Sequence, residues 1–323
     1  MNKFDLFDGH ADTLFRCWDE TGRHFNGGSF RVNNGHLDLL RVKENMGSYC
    51  QFFAVFGTPG IKKGVSCRQI YEEQLRIFKS EIEKNNDLIL HCRTAHEAEQ
   101  ANREGKSAAF LAVEGAELLD CGLAELEEAY KSGVRAINLT WNCANELSGS
   151  CREESERGLS EQGKAFVKRM QELGMIVDVS HLSDSGFWDV AELAQKAGKP
   201  FMAGHSNSRE VCSHVRNLTD EQFLAIIKCH GIAGLNMCDD FIGEHPTMDK
   251  LIHHIEHWMS LGGQDSIAVG GDWDGCDLFP GMDDILGIGA LYERLLQMNY
   301  PEKTVHAIFF DNMMRVVREV CTT

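Results

Sequence analysis

Short apolar runs alternate with longer amphipathic stretches along the whole chain. Each short run has four to eight residues and is bounded by polar or turn-forming residues, which is typical of buried strands. The pattern predicts eight strands: Asp5–Asp8, Tyr49–Phe56, Ala108–Glu114, Ala136–Thr140, Ile176–Ser180, Phe201–His205, Ile232–Asn236 and Ile267–Asp272.

The amphipathic stretches between these runs predict helices. Gln69–Lys84 is an example, because Ile70, Phe78 and Ile82 belong to an apolar stripe with helical spacing. The other predicted helices are Leu123–Lys131, Ser160–Leu173, Ser183–Ala197, Thr219–Cys229, Met248–Leu261 and Glu302–Val320.

Strands that alternate with helices favour a parallel sheet, and the number of units decides its form. Eight such units with no linker between them predict one α/β domain over residues 1–323, a closed (β/α)8 TIM-type barrel. An open doubly wound sheet is the alternative, although no Gly-x-Gly-x-x-Gly motif follows the first strand.

Composition narrows the choice of partners. The chain has 323 residues, of which 43% are hydrophobic and 25% charged, as in ordinary globular proteins. A net charge of -17 argues against nucleic acid or an anionic membrane as a partner. The N-terminus lacks the features of a signal peptide, and no apolar run is long enough for a membrane span, so we expect a cytoplasmic protein.

Polar residues with metal-binding side chains lie where the predicted strands end. In a barrel these ends meet at one rim, where ligands bind. His10 and Asp12 face the same way, because residues two apart in an extended segment share a side. The five metal-competent residues at the rim are His10, Asp12, Glu114, His181 and His205.

Three imidazoles and two carboxylates suit zinc or a similar ion. Five ligands exceed the need of one catalytic zinc and fit two ions about 3.5–4 Å apart, with Glu114 as the bridge and a bridging hydroxide as the nucleophile. Taken singly, Glu114 also suits a buried structural carboxylate, and His181 and His205 suit structural roles. The prediction of a metal site therefore depends on the occurrence of all five residues at one rim.

Two further features complete this interpretation. Asp272, in Gly-Gly-Asp-Trp-Asp-Gly, is a candidate general acid/base that takes a proton from water and passes it to a leaving amine. His253, His254 and His257 lie on a predicted barrel helix away from the rim, so we predict that this segment is a solvated helix face.

At this point the sequence resembles the membrane dipeptidase (renal dipeptidase) family of zinc metallopeptidases, which are amidohydrolase-like barrel enzymes. The matching stretches are Asp8–Asp12, Val113–Ala116, Leu139–Asn142, Gly158–Gly163, Gly174–His181, Gly204–Ser208, Val215–Asn217, Gly271–Gly275 and Asn312–Val316. They occur in order and cover nearly the whole chain.

The resemblance implies a binuclear zinc dipeptidase that tolerates a D-residue at the C-terminal position of a dipeptide. His10 and Asp12 would hold one zinc, His181 and His205 the other, and Glu114 would bridge them. Arg216 would bind the C-terminal carboxylate of the substrate, which suits a guanidinium group. The resemblance also implies a homodimer and a cytoplasmic, bacterial-type member.

One position departs from the family. Trp141 stands where many members have a histidine that polarises the scissile carbonyl, and an indole cannot carry a proton's charge. Asn142 or Asn145 can supply an oxyanion contact instead. Two alternatives therefore stay open: hydrolysis of another amide or a lactone at the same site, and a metal-containing binding protein without catalysis.

Overall fold

The computed structural model describes residues 3–18 and 29–322, and nine parallel strands within them form one sheet. The strands are β1 (Phe4–Ala11), β2 (Met46–Phe56), β3 (Ile89–His91), β4 (Ser107–Glu114), β5 (Val134–Asn138), β6 (Ile176–Asp178), β7 (Met202–Ala203), β8 (Ile232–Leu235) and β9 (Ile267–Val269).

The sheet closes on itself. Its order is β2-β1-β9-β8-β7-β6-β5-β4-β3, and β2 also pairs with β4 from Cys50↔Ala108 to Phe56↔Glu114. Since β2 takes one edge of β4, the short β3 and β5 share the other edge. The eight strands other than β3 therefore form a ring, which confirms the TIM-type barrel and rules out the open sheet.

Helices alternate with these strands in the described part of the chain. They are α1 (Thr13–Trp18), α2 (Leu39–Asn45), α3 (Cys67–Lys84), α4 (Ala95–Arg103), α5 (Leu123–Lys131), α6 (Glu161–Leu173), α7 (Asp184–Ala197), α8 (Asp220–Lys228), α9 (Met248–Ser260), α10 (Ile288–Gln297), α11 (Glu302–His306) and α12 (Asn312–Val320). A π-helical segment, Ala307–Asp311, joins the last two. None of these helices combines the length and hydrophobicity that crossing a bilayer requires.

Alternation along the strands separates two cores. One buried cluster takes a residue from each of the eight ring strands, including Phe7, Phe52 and Phe110, and so fills the barrel interior. Their neighbours Leu6, Phe53 and Leu111 belong to the other cluster, between sheet and helices. Met313 and other α12 residues join the interior cluster, so packed side chains close this end of the barrel.

Several strands end earlier than the sequence predicts. The predicted Ile267–Asp272 stops at Val269, and Ile176–Ser180 stops at Asp178. The residues that follow leave the sheet: His181 has φ 70 and Asp272 has φ 58, in the left-handed region. These departures carry the candidate site residues out of the strands and over the barrel mouth.

Candidate metal centre

The structure brings six predicted site residues together over the barrel mouth. His10 and Asp12 come from the end of β1 and Glu114 from β4, while the other three lie in the segments after β6, β7 and β9. All six are at most 8% exposed: His10, Asp12, Glu114, His181, His205 and Asp272. Residues separated by most of the chain thus share one buried cluster.

Glu114 lies at the centre of this cluster. Its Oε1 is 3.0 Å from His181 Nε2 and 3.3 Å from His205 Nε2. Its Oε2 is 3.7 Å from His10 Nε2, which in turn is 3.5 Å from Asp12 Oδ2. The two carboxylate oxygens therefore face different partners.

The donor atoms meet the requirements of a cation site. Nε2 of His10 and Oδ1 of Asp12 are buried without a hydrogen-bond partner among the described residues. Such atoms are costly unless something else binds them. Gly275 leaves space beside the carboxylates of Asp12 and Asp272, since a Cβ there would be 2.2 Å from Asp12 Oδ2 and 2.3 Å from Asp272 Oδ1. The residues present thus fit a bound metal.

Asn142 fixes the orientation of one imidazole. Its Oδ1 lies 2.9 Å from His181 Nδ1, so the hydrogen bond places the proton on Nδ1 and turns the Nε2 lone pair toward Glu114. His181 Nε2 also lies 3.0 Å from His205 Nε2. Asn142 therefore positions a candidate ligand in addition to lining the cavity described below.

Burial and crowding set the charges of the cluster. Burial, helped by Arg216 and His10, lowers the pKa of His181 and His205 well below the usual value, which leaves neutral imidazoles. Burial also raises the pKa of Glu114 and Asp272. Burial opposes protonation of His10, but the surrounding carboxylates outweigh it and raise the pKa of His10 to about 10. The carboxylates together thus favour a cation among them.

Asp272 is held by one side-chain hydrogen bond. Asn236 Nδ2 donates to its Oδ2 at 3.0 Å, and the donor atoms of Asp272, His10 and Asp12 lie within 4.8 Å of one another. Asp274 points to another network, where it accepts hydrogen bonds from the Thr13 hydroxyl and the His36 backbone.

A cavity of about 180 Å³ opens beside the cluster. Phe15, Phe56 and Trp141 form one wall, with ring centroids 5.2 Å apart for the first pair and 5.1 Å apart for the second. Cys238 and Phe241 also line the cavity. The space suits a small ligand with apolar groups at its edges.

Arg216 lies just outside the cavity lining. It is buried, and its guanidinium donates to the His205 carbonyl oxygen at 3.0 Å and lies over the ring of Phe241. Its Nε has no hydrogen-bond partner among the described residues. Arg16, which sequence reasoning missed, lines the cavity directly.

Two sequence predictions differ from the structure. Asn145 lies away from this cavity, because its amide bonds to Glu117, to the Leu139 carbonyl oxygen and to backbone N–H groups of its own loop. The prediction of a solvated face is wrong for His254, which is fully buried and holds the Ser208 N–H on its Nδ1. His253 is exposed as predicted.

Arg16 has a weak sequence signal. It lies four residues after Asp12, in the last turn of α1, a helix that the periodicity did not reveal because it has only six residues. Its Nε donates to the Asp274 carbonyl oxygen at 2.6 Å, which fixes the side chain at the cavity edge.

Comparisons with known proteins cover the whole chain. The model for the family described as membrane dipeptidase (peptidase family M19) matches residues 1–323. Dipeptidase 3 of Mus musculus is 27% identical over 99% of this chain, and the match spans 65% of the mouse protein. A protein from the pqqA 5′ region of Klebsiella pneumoniae is 31% identical over 77% of this chain and 95% of its own length.

Solved structures share the fold. Dipeptidase AC, a metallopeptidase of family M19, has a TM-score of 0.87 and 26% identity over 100% of both chains. A metallopeptidase from Rhodobacter sphaeroides, solved with a phosphinate mimic of the dipeptide L-Ala-D-Ala, has a TM-score of 0.86 and 24% identity. That match covers 99% of this chain and 100% of the other.

Proposed function

The chain belongs to the membrane dipeptidase family, peptidase family M19, and from this premise we propose that it hydrolyses dipeptides with the help of two zinc ions. Family membership makes it a metallopeptidase. The observation that carries the finer proposal is the buried cluster of three imidazoles and three carboxylates, with unpartnered donor atoms on His10 and Asp12.

The assignment of ligands follows the two oxygens of Glu114. His10 and Asp12 would hold one ion beside Oε2, and His181 and His205 would hold the other beside Oε1, which is supported by the distances of 3.7, 3.0 and 3.3 Å from Glu114 to the three imidazoles. When bound, two zinc ions supply Lewis acidity and lower the pKa of a coordinated water.

Asp272 is the proposed proton carrier. Its carboxylate accepts the proton of the attacking water and returns it to the amine of the leaving residue. Support comes from its place on the cavity wall and from the Asn236 amide, which orients one oxygen. Its position, with a carboxylate oxygen within 4.8 Å of the donor atoms of His10 and Asp12, also supports this role, because a water bound to a zinc held there would be close to Asp272.

The substrate is a small dipeptide. A cavity of about 180 Å³ leaves little room for a longer peptide, and aromatic rings at its edge favour apolar side chains. Arg216 is the proposed partner of the C-terminal carboxylate, supported by its buried Nε without an acceptor. We propose that a D-residue is accepted at this position, as the mimic bound to the Rhodobacter sphaeroides enzyme suggests.

Trp141 favours a second candidate function, the hydrolysis of another amide or of a lactone at the same site. An apolar ring at the cavity wall, in place of a group that can carry a proton, weakens activation of a peptide carbonyl. An amide or lactone with a better leaving group needs less activation. If no substrate reacts, the remaining alternative is a protein that binds dipeptides without cleaving them.

The test measures zinc content and hydrolysis of L-Ala-D-Ala and L-Ala-L-Ala on one purified sample, before and after chelation. We expect about two zinc ions per chain and cleavage that a chelator abolishes and zinc restores. His181→Ala should lose one ion and the activity, while His253→Ala, an exposed histidine on α9, should lose neither. Bound zinc without cleavage of either dipeptide would reject the dipeptidase.

A further inference from the structure

Two buried carboxylates lie beneath the metal centre without belonging to the proposed ligands. Asp8 is on β1, two residues before His10, and Asp178 ends β6, three residues before His181. Asp8 is 0% exposed and Asp178 is 1% exposed. We call them the anchoring carboxylates, because both bind backbone N–H groups next to site residues.

Asp8 connects the first and last strands of the ring. Its Oδ1 accepts the His10 N–H at 2.9 Å. Its Oδ2 accepts the Gly271 N–H at 3.0 Å and the Trp273 indole N–H at 2.8 Å. Asp272 lies between these two donors, so Asp8 holds both neighbours of the proposed proton carrier as well as the backbone of one proposed ligand.

Asp178 makes the corresponding connection between β6 and β7. Its Oδ1 accepts the Ser180 N–H and the Gly204 N–H, each at 2.9 Å. These donors directly precede His181 and His205. The hydroxyl of Ser180 then accepts the His205 N–H at 3.1 Å, which ties the two segments together again.

The backbone beside each anchoring carboxylate is in a sparsely populated conformation. His181 has φ 70 and Asp272 has φ 58, and neither is glycine. Such residues keep a left-handed conformation only where the surroundings impose it. The hydrogen bonds to Asp178 and Asp8 fix the adjacent peptide groups and therefore the directions of these two side chains.

We propose that Asp8 and Asp178 are positioning residues for the metal centre: Asp8 places His10 and Asp272, and Asp178 places His181 and His205. This inference rests on the proposed function, since it takes the three histidines as zinc ligands. It assigns no direct contact with the metal or substrate to either carboxylate. Loss of an interaction behind a ligand typically costs about 10- to 100-fold in metal affinity.

The two sites call for different conservative replacements. Both backbone N–H groups that donate to Asp178 end on one oxygen, so Asp178→Asn retains an acceptor for them, whereas Asp178→Leu removes it. Asp8 uses both of its oxygens, so Asp8→Asn must direct an NH₂ group at another N–H donor. Asparagine should therefore preserve the hydrogen bonds at position 178 and disrupt them at position 8.

The measurement is zinc affinity, by competition with a chromophoric chelator, together with the visible spectrum of the cobalt-loaded protein. Glu81→Gln is the matched control, because Glu81 is a buried carboxylate on α3 that accepts the Phe30 N–H and is not one of the candidate site residues. We expect Asp8→Asn and Asp178→Leu to weaken zinc binding at least tenfold and alter the cobalt spectrum. Asp178→Asn and Glu81→Gln should stay near wild type.

Wild-type affinity and spectrum in folded Asp8→Asn and Asp178→Leu would overturn the inference, as would equal losses in both Asp178 variants. If Asp8→Asn does not fold, the Asp178 pair alone decides. Zinc affinity is measured without substrate, so a wild type that binds zinc but cleaves no dipeptide rejects the proposed dipeptidase and leaves this test intact. A wild type that binds no zinc rejects both.

Discussion

Single residues in this protein take their roles from their surroundings. His181 and His254 are both buried imidazoles. The first has its Nε2 turned to Glu114, while the second holds the Ser208 N–H and faces the Ile242 carbonyl oxygen. In the sequence, the two histidines could be told apart only by position, because His181 follows a predicted strand end and His254 lies on a predicted helix.

Replacing Asp272 by Asn tests the proton carrier. The amide cannot accept a proton, so kcat for a dipeptide should fall roughly 10²- to 10⁴-fold while KM changes little. Steady-state kinetics with a zinc determination checks this, since zinc should remain bound. Asp274→Asn is the control in the same cavity and should lose less than about tenfold; equal losses in the two variants would remove the special role of Asp272.

Arg216→Met tests recognition of the substrate carboxylate. Loss of a buried guanidinium that pairs with this group should raise KM at least about tenfold and leave kcat nearly unchanged. The comparison is Arg16→Met, which removes the arginine that lines the cavity directly. A large rise in KM for Arg16→Met alone would move the carboxylate site to Arg16.

At the scale of elements, the sequence predicted the ring strands but not the short elements or the turns at the strand ends. Hydrophobic runs placed all eight ring strands, because burial on both faces leaves a strong signal. The three-residue β3 and six-residue α1 were missed, because such lengths give no periodicity. The turn at Asp272 depends on a hydrogen bond to Asp8, 265 positions from Trp273, which no local pattern reveals.

Glycines within β1 and β8 and directly after β9 make room for the segment that carries His205. An added Cβ would lie 1.8 Å from the Gly204 carbonyl oxygen at Gly270, 2.1 Å at Gly234 and 2.7 Å at Gly9. Three strands therefore approach one peptide group closely. Larger residues would push this segment away from the barrel axis.

Gly270→Ala should consequently destabilise the protein by about 3 kcal/mol, since the three nearest atoms to the added Cβ all belong to the backbone of Gly204 and His205 and cannot move away cheaply. Gly198→Ala is the control: Gly198 has φ 61, but no described residue apart from its chain neighbours and its own helix comes within 4 Å of the added Cβ, so only conformational strain of about 1 kcal/mol is expected. Urea unfolding of both variants measures the difference. Equal stabilities would mean that the Gly204 peptide shifts freely.

At the scale of the whole molecule, closure of the barrel brings the residues of the candidate metal centre together. Its candidate residues come from segments after or within β1, β4, β6, β7 and β9, on opposite sides of the ring. A single domain over residues 1–323, a homodimer and a cytoplasmic location stay predictions from the sequence.

Metal removal should therefore lower global stability. Zinc at 100 times its dissociation constant stabilises a protein that binds it only when folded by about 2.7 kcal/mol. We expect chelation to lower the Tm by several degrees and zinc to restore it, as scanning calorimetry can measure. An unchanged Tm would mean that zinc does not bind preferentially to the folded protein, which would contradict the proposed metal centre.

The hydrogen bonds from Gly271 and Trp273 to Asp8 have a consequence for synthesis of the protein. These partners are 263 and 265 positions apart, so on the ribosome the first ligands emerge long before the residues that complete their site. Contacts of such range form late in folding. If the proposed ligands hold zinc, a nascent chain offers only part of the set, and full occupancy of the proposed centre becomes a sign that the ring has closed.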